Sequence, residues 1–310
     1  MAHTGRHSTG SPHVFGGDWT TQKLRVVSRY LQSYTTALKY KPRPDRPFKK
    51  TFIDAFAGTG YRTPTTSSPG AATQEELFPE LAASDPQGLL EGSARLALDV
   101  DPPFDKYIFV EKNAGRCEQL SLLKSVFPAR AGAIDIRLGD ANAEIQRICR
   151  GEDWSGQRAV LFLDPYGMQV DWKTIEAVAA TKAIDLWLLF PLGIGVNRLL
   201  TKSGAIPDAW RDRLTALLGT ANWYEEFYKV EATADLLGDV SARVIKASMD
   251  VIGAYFLERL RTVFAGVVEQ PGVLRNSSNN PLYLLCFAIG NERGKPIAIR
   301  IAKHLLKDLR

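Results

Sequence analysis

Apolar residues recur in two rhythms along this chain. In DWTTQKLRVVSRYLQSYTTAL, Leu24, Val27, Leu31, Tyr34 and Leu38 fall three and four residues apart, the spacing of one helical face, with Asp18 at the N-cap. KPRPDRP follows, and its three prolines break the helix and make a stiff basic linker. Beyond it, short apolar runs suited to strands buried on both faces alternate with amphipathic stretches. The runs are Thr51–Ala55, Tyr107–Val110, Ile134–Leu138, Ala159–Leu163 and Ile184–Leu189. The stretches 89–98, 116–126, 141–149 and 173–181 read as the helices between them. Repeated strand–helix–strand units predict a doubly wound, parallel α/β sheet.

Two regions interrupt this rhythm. Residues 61–88 are rich in Pro, Thr, Ser and Gly and form a long inserted loop after the first strand. After the fifth strand a helical insertion is expected over 196–265, with helices at 208–218 and 223–227 and a periodic helix from about Asp239 to Phe264. The last apolar runs, FAGVVEQPGVLR and PLYLLCFAIGN, read as a strand pair joined by a polar turn at Asn276–Asn280. The expected organisation is a disordered leader (1–17), a helix and basic linker (18–48), a core (49–195), the helical insertion (196–265), and a terminal strand pair with a basic segment (266–310).

Composition narrows the function. Cys117, Cys149 and Cys286 are few and far apart, which fits neither a disulfide framework nor a zinc spacing and suits a reducing, cytoplasmic setting. The four histidines, His3, His7, His13 and His304, lie at the chain ends, so a Ser-His-Asp hydrolase, a Cys-His protease or a histidine metal site is not expected. No metal ligation is expected elsewhere. No apolar run approaches the roughly 20 residues of a membrane span, and the start lacks a secretory h-region. The net charge of +5 is uneven: residues 1–50 carry ten Lys and Arg against two acids, and 290–310 carry six against two, leaving an acidic body. Only the ends, with Lys39, Lys41, Arg43, Arg46, Lys49 and Lys50 in the linker, suit a polyanion such as nucleic acid.

The candidate chemistry lies where strands end, because ligands of doubly wound sheets bind outside the carboxyl ends of the strands. The first strand runs into FIDAFAGTG, giving Asp54, Phe56, Gly58 and Gly60. The glycines permit a tight turn and close approach of a ligand, and an acid four residues before Gly58 suits a cationic group better than a pyrophosphate. The second strand ends in FVEKN, where Glu111 can grip two ribose hydroxyls. The third ends in GDAN, with Asp140 placed for an adenine amino group or, equally, for capping the next helix. The fourth ends in LFLDPYG, where Asp164 and the Pro165 carbonyl can accept N–H groups of an amine and Tyr166 can stack on a planar base.

These four elements, in this order, resemble motifs I to IV of class I S-adenosylmethionine-dependent methyltransferases. Five parallel-type strands and a terminal pair match the strand sequence of their seven-stranded Rossmann-like sheet. DPYG is similar to the [DN]-PP-[FYW] motif of nucleic-acid amino-methyltransferases and, with its single proline, to the D-P-F-G of tRNA N2-guanine dimethyltransferases. W-T-x-x-K at Trp19–Lys23, FKKTFIDAFAGTGYR, PPFDKYIFVEKN and LFLDPYGMQVDW resemble the three-Cys-motif partner protein family over residues 15–290. That family is named for cysteines of a neighbouring radical-SAM-like protein, to which the three cysteines here are unrelated. The resemblance implies a methyltransferase-like fold, S-adenosylmethionine as cofactor and such a protein as a partner. Methylation of a nucleic-acid base amine leads the readings. Methylation of a protein or small molecule, and a non-catalytic cofactor-binding scaffold, stand beside it.

Overall fold

The computed structural model describes residues 18–58, 92–234 and 240–309. The expected leader and the inserted loop 61–88 lie outside them, as does Gly60. The central sheet is built from β1 (Lys49–Asp54), β2 (Lys106–Glu111), β3 (Ile134–Leu138), β4 (Gln157–Leu163), β5 (Ile184–Phe190), β6 (Gly266–Val267), β7 (Gly272–Arg275) and β8 (Pro281–Ile289). Its order is β6-β8-β5-β4-β1-β2-β3, with β7 beside β6 along the same edge of β8. β1 to β5 are mutually parallel and β8 runs antiparallel to β5. This is the doubly wound, Rossmann-like methyltransferase sheet. Its order reverses at β1, which lies between β2 and β4.

One expected strand is divided. β6 and β7 fill a single place in the sheet, so eight strands occupy seven positions. Pro271, which has no N–H to donate to a ladder, stands at the break.

Helices cover both faces. α1 (Asp18–Leu38), α2 (Ser93–Leu98), α3 (Ala114–Ser121) and α8 (Lys295–Leu306) supply one core with Phe52, Tyr107, Phe109, Phe162, Trp187 and Phe287 of the strands. α4 (Ala141–Gly151), α5 (Trp172–Ala180), α6 (Asp208–Leu218) and α7 (Met249–Arg261) supply the other, with Ile53, Ile108, Leu161, Leu186 and Leu188. Alternate strand residues thus serve opposite layers, as the pleat requires.

The insertion is not wholly helical. Tyr228–Ala234 and Val240–Lys246 pair as an antiparallel hairpin, and the expected helix from Asp239 begins only at Met249. V-S-A-R-V carries a two-residue alternation of apolar and polar residues, and Ser248 then caps α7 by accepting from Val251 N at 3.4 Å. The basic linker is a minimal hairpin in which Pro42 faces Pro47 and Arg43 faces Arg46. The C-terminal basic segment is α8. Among the described residues, no helix is long and apolar enough to cross a membrane.

A buried polar pair joins α1 to the sheet. Tyr30 Oη donates to Asp185 Oδ2 at 2.6 Å, and burial pushes the Asp185 carboxyl up to about 7, against the hydrogen bond from Tyr30 and the charge of Arg158. Tyr30 and Tyr34, both on α1, and Arg158 on β4 are the titratable or charged groups that act on it. An unfolded chain releases this proton near 3.8, whereas the folded chain holds it to about 7. Between these values the unfolded state binds fewer protons, so stability falls as pH rises, by up to about 4 kcal/mol at roughly 1.4 kcal/mol per pH unit. Asp185→Asn is therefore expected to gain about 2–3 kcal/mol relative to wild type between pH 5 and pH 8 in urea titrations. An unchanged difference at the two pH values would rule this out.

Candidate cofactor and acceptor site

Asp54 ends β1 with no solvent exposure. Its Oδ1 accepts from Phe56 N at 3.1 Å, and Ser93 Oγ, at the first residue of α2, donates to Oδ2. Burial pushes its carboxyl up to about 7, aided by the charge of Asp164 and opposed by the Ser93 and Phe56 hydrogen bonds and by Lys23. In the parallel register Asp54 stands beside Phe109 on β2 and Phe162 on β4. Glu111 and Asp164 follow those partners by two residues, hence on the same face and roughly 7 Å further along. One pleat therefore brings three carboxylates to the face that α1 and α2 cover.

Glu111 is buried. Its Oε1 accepts from Asn113 N at 2.7 Å, and Arg116 lies 3.8 Å away. Its other oxygen faces Gly58, where an added Cβ would collide with the carboxylate. Glycine is required there by this close approach. Ala57 N donates to Val110 O at 3.1 Å and holds the turn against β2. Phe56 is half-buried against the core.

Asp140 is exposed, and its side chain caps α4 by accepting from Ala143 N at 3.1 Å. Of the two roles the sequence allowed it, the cap is the one its contacts display. Asp164 is partly buried and ion-paired with Lys23, Nζ to Oδ2 being 2.5 Å. Pro165 is buried, and Tyr166 N donates to Gln169 Oε1 at 3.2 Å. Gly167 has φ +69°, which the turn after DPY requires and which other residues rarely adopt. Asn142 anchors this turn: its Nδ2 donates to Gln169 O, and its Oδ1 accepts from Asp171 N and Thr174 Oγ1.

Ser93, Lys23, Asn142 and Tyr283 belong to this neighbourhood and were not among the expected site residues. Lys23 carried a legible signal. It heads the stripe Lys23, Val26, Val27, Tyr30, Leu31, Tyr34 that α1 buries, and a lysine on a buried stripe needs an acidic partner. Ser93 gave none, because it follows a long insertion. Among the described residues, no cluster of His, Cys, Asp and Glu could hold a metal ion.

No protein-family model matches the sequence, and no curated protein matches it. Among solved structures, a conserved hypothetical protein from Streptococcus pyogenes is 16% identical, with 65% of this chain and 88% of that one covered and a TM-score of 0.29. Spermidine synthase from Thermotoga maritima is 10% identical, with 89% and 61% covered and a TM-score of 0.36. A candidate methyltransferase, yhhF, from Escherichia coli is 11% identical, with 71% and 86% covered and a TM-score of 0.29. The assignment of the fold rests on the chain's own strand order.

Proposed function

We propose that this chain is an S-adenosylmethionine-dependent methyltransferase whose acceptor is an amino group of a nucleic-acid base. The observation that carries the reading is the convergence of Asp54, Glu111 and Asp164 on one face, at the carboxyl ends of three adjacent strands, with Gly58 pressed against Glu111. A buried carboxylate facing a glycine whose Cβ would fill the space is a fitting cradle for a ribose. Asp54 suits the cationic amino group of the cofactor's amino-acid end, with Phe56, Gly60 and Asp140 as further cofactor-side residues. When bound, the cofactor supplies an electrophilic methyl group on a sulfonium. Asp164 and the Pro165 carbonyl would accept N–H groups of the acceptor, and Tyr166 would stack on its ring. Positioning and exclusion of water carry such a transfer, so histidine is not needed. Arg43, Arg46 and Lys49 line a groove at the amino ends of β1 and β4, the sheet edge opposite Asp54 and Asp164, where they would meet phosphates of a nucleic acid that extends beyond the site.

With labelled cofactor and mixed RNA or DNA, the chain is expected to transfer methyl groups to base amines. Asp164→Ala should lower turnover about a hundredfold or more while cofactor affinity holds, a loss typical of a group acting at the reacting centre. Turnover unaffected by the exchange would overturn the acceptor assignment. A second reading, a cofactor-binding scaffold for a radical-SAM-like partner as the three-Cys-motif partner resemblance implies, is favoured by the occupied state of Asp164. It predicts cofactor binding without turnover in any nucleic acid.

A further inference from the structure

Asp164 is not a bare carboxylate. α1 carries Lys23 to its Oδ2 at 2.5 Å across 141 residues of sequence, and both side chains are largely withdrawn from water, at 7% and 16% exposure. The same ammonium lies 5.0 Å from the centre of the Trp19 ring. Trp19 in turn packs on Tyr283, with centroids 5.2 Å apart and planes at 33°. Tyr283 senses the charge of Asp164 and lies near Tyr166, so rings and ion pair form one cluster at the end of β4. Asp54 also feels both Asp164 and Lys23, which places the pair beside the cofactor-side carboxylate.

An ammonium ion approaching Asp164 would meet a positive charge already seated on that carboxylate and already covering the face of Trp19, whereas Asp54, on which Lys23 acts only weakly, leaves the cofactor side open to a cation. Like charges a few ångströms apart in a site poor in water repel strongly. A neutral amine meets no such barrier. Among the described residues no hydrogen bond reaches Asp164 Oδ1, so that oxygen can accept an N–H, and the surrounding rings suit a flat heterocycle.

We infer that Lys23 is the specificity-determining residue of the acceptor site, fitting it to neutral planar amines and closing it to cationic ones such as polyamines or lysine side chains. The inference rests on the methyltransferase reading and names the charge class of its acceptor. Lys23 selects by repulsion, the kind of negative element on which discrimination between similar partners depends.

The test is a titration of the full chain, preloaded with S-adenosylhomocysteine, with cytidine and adenosine as neutral amines and spermidine as the cation. Wild type is expected to bind a nucleoside and to bind spermidine at least tenfold more weakly. Lys23→Met should shift that ratio at least tenfold toward spermidine with the product cofactor still bound, whereas Lys23→Arg should keep the wild-type order. A lysine that only staples α1 to the sheet would weaken all probes alike in Lys23→Met. Should Lys23→Met fail to fold, Lys23→Met with Asp164→Asn removes both charges and should bind nucleoside and spermidine without the tenfold discrimination. The inference is overturned if wild type prefers spermidine or binds no nucleoside, or if the variants keep the wild-type ratio. Failure of wild type to take up S-adenosylhomocysteine would instead bring down the methyltransferase reading, and this inference with it.

Discussion

Asp54→Asn is expected to weaken binding of S-adenosylhomocysteine about a hundredfold at pH 8 and to abolish the pH dependence of that binding between pH 6 and 8. A buried carboxylate that meets a cationic amino group makes a charge-assisted hydrogen bond, whose loss costs about 1.5–3 kcal/mol, or ten- to more than a hundredfold in affinity. Burial holds the Asp54 carboxyl up to about 7 against an ordinary 3.8. At pH 6 the free protein therefore carries a proton there that the amino group must displace, and at pH 8 it does not. Wild-type affinity should rise with pH through about 7 and level off above it. The proton has the opposite effect on the unliganded fold. Unfolded Asp54 ionises near 3.8, so stability contributed by its protonated form is lost as pH climbs toward 7. Calorimetry at three pH values checks the claim, and a variant that keeps the wild-type pH profile would show that another group titrates.

Trp187→Ala is expected to cost about 3–5 kcal/mol, the range for deleting a large aromatic from a packed core. Trp187 has no exposure and lies mid-strand in β5. Its ring stands edge-on to Tyr30 at 5.3 Å and 4.9 Å from Phe287, which themselves lie 4.9 Å apart. The triad joins α1, β5 and β8, so a cavity there loosens the helix that carries Lys23. Among the described residues the indole N–H finds no acceptor. Trp187→Phe, which removes that orphan donor and keeps a ring, should therefore cost less than about 1.5 kcal/mol. Urea unfolding of both variants separates the contributions, and equal losses would mean that ring packing is not what holds this junction.

Much of the sheet was legible because four of its parallel strands are short, apolar on both sides and bounded by polar turns; β3 departs from this, an edge strand whose I-D-I-R-L alternates and buries only Ile134. The apolar pattern marks Ile134–Leu138 at both ends and the other four parallel strands to within two residues at each end. Where reading failed, two signals overlapped. Residues 240–246 satisfy both a helical and an alternating pattern, and only pairing with Tyr228–Ala234 decides between them. The division of the sixth strand turned on a single proline, Pro271. On α1 the stripe is rotated from the expected one: Val26 and Tyr30 are buried, while Leu24 and Leu38 are only partly covered.

The placement of the candidate residues is legible to the extent that strand ends are. Asp54, Glu111 and Asp164 lie two residues beyond Phe52, Phe109 and Phe162, and the two-residue period of the pleat sets all three on one face. What strand ends cannot reveal is what another element delivers. Lys23 reaches Asp164 from a helix 141 residues away, and Ser93 reaches Asp54 across 39. Asp140 shows the converse, since an acid before a helix serves as a cap regardless of any ligand.

Titration calorimetry of the full chain with S-adenosylhomocysteine at pH 8, set against NAD, addresses the central claim without needing a substrate. The account predicts one site per chain for S-adenosylhomocysteine, no heat with NAD, and at least tenfold weaker binding in Glu111→Gln, which keeps shape and removes charge. A silent titration, or heat unaltered by the Glu111 exchange, would contradict it.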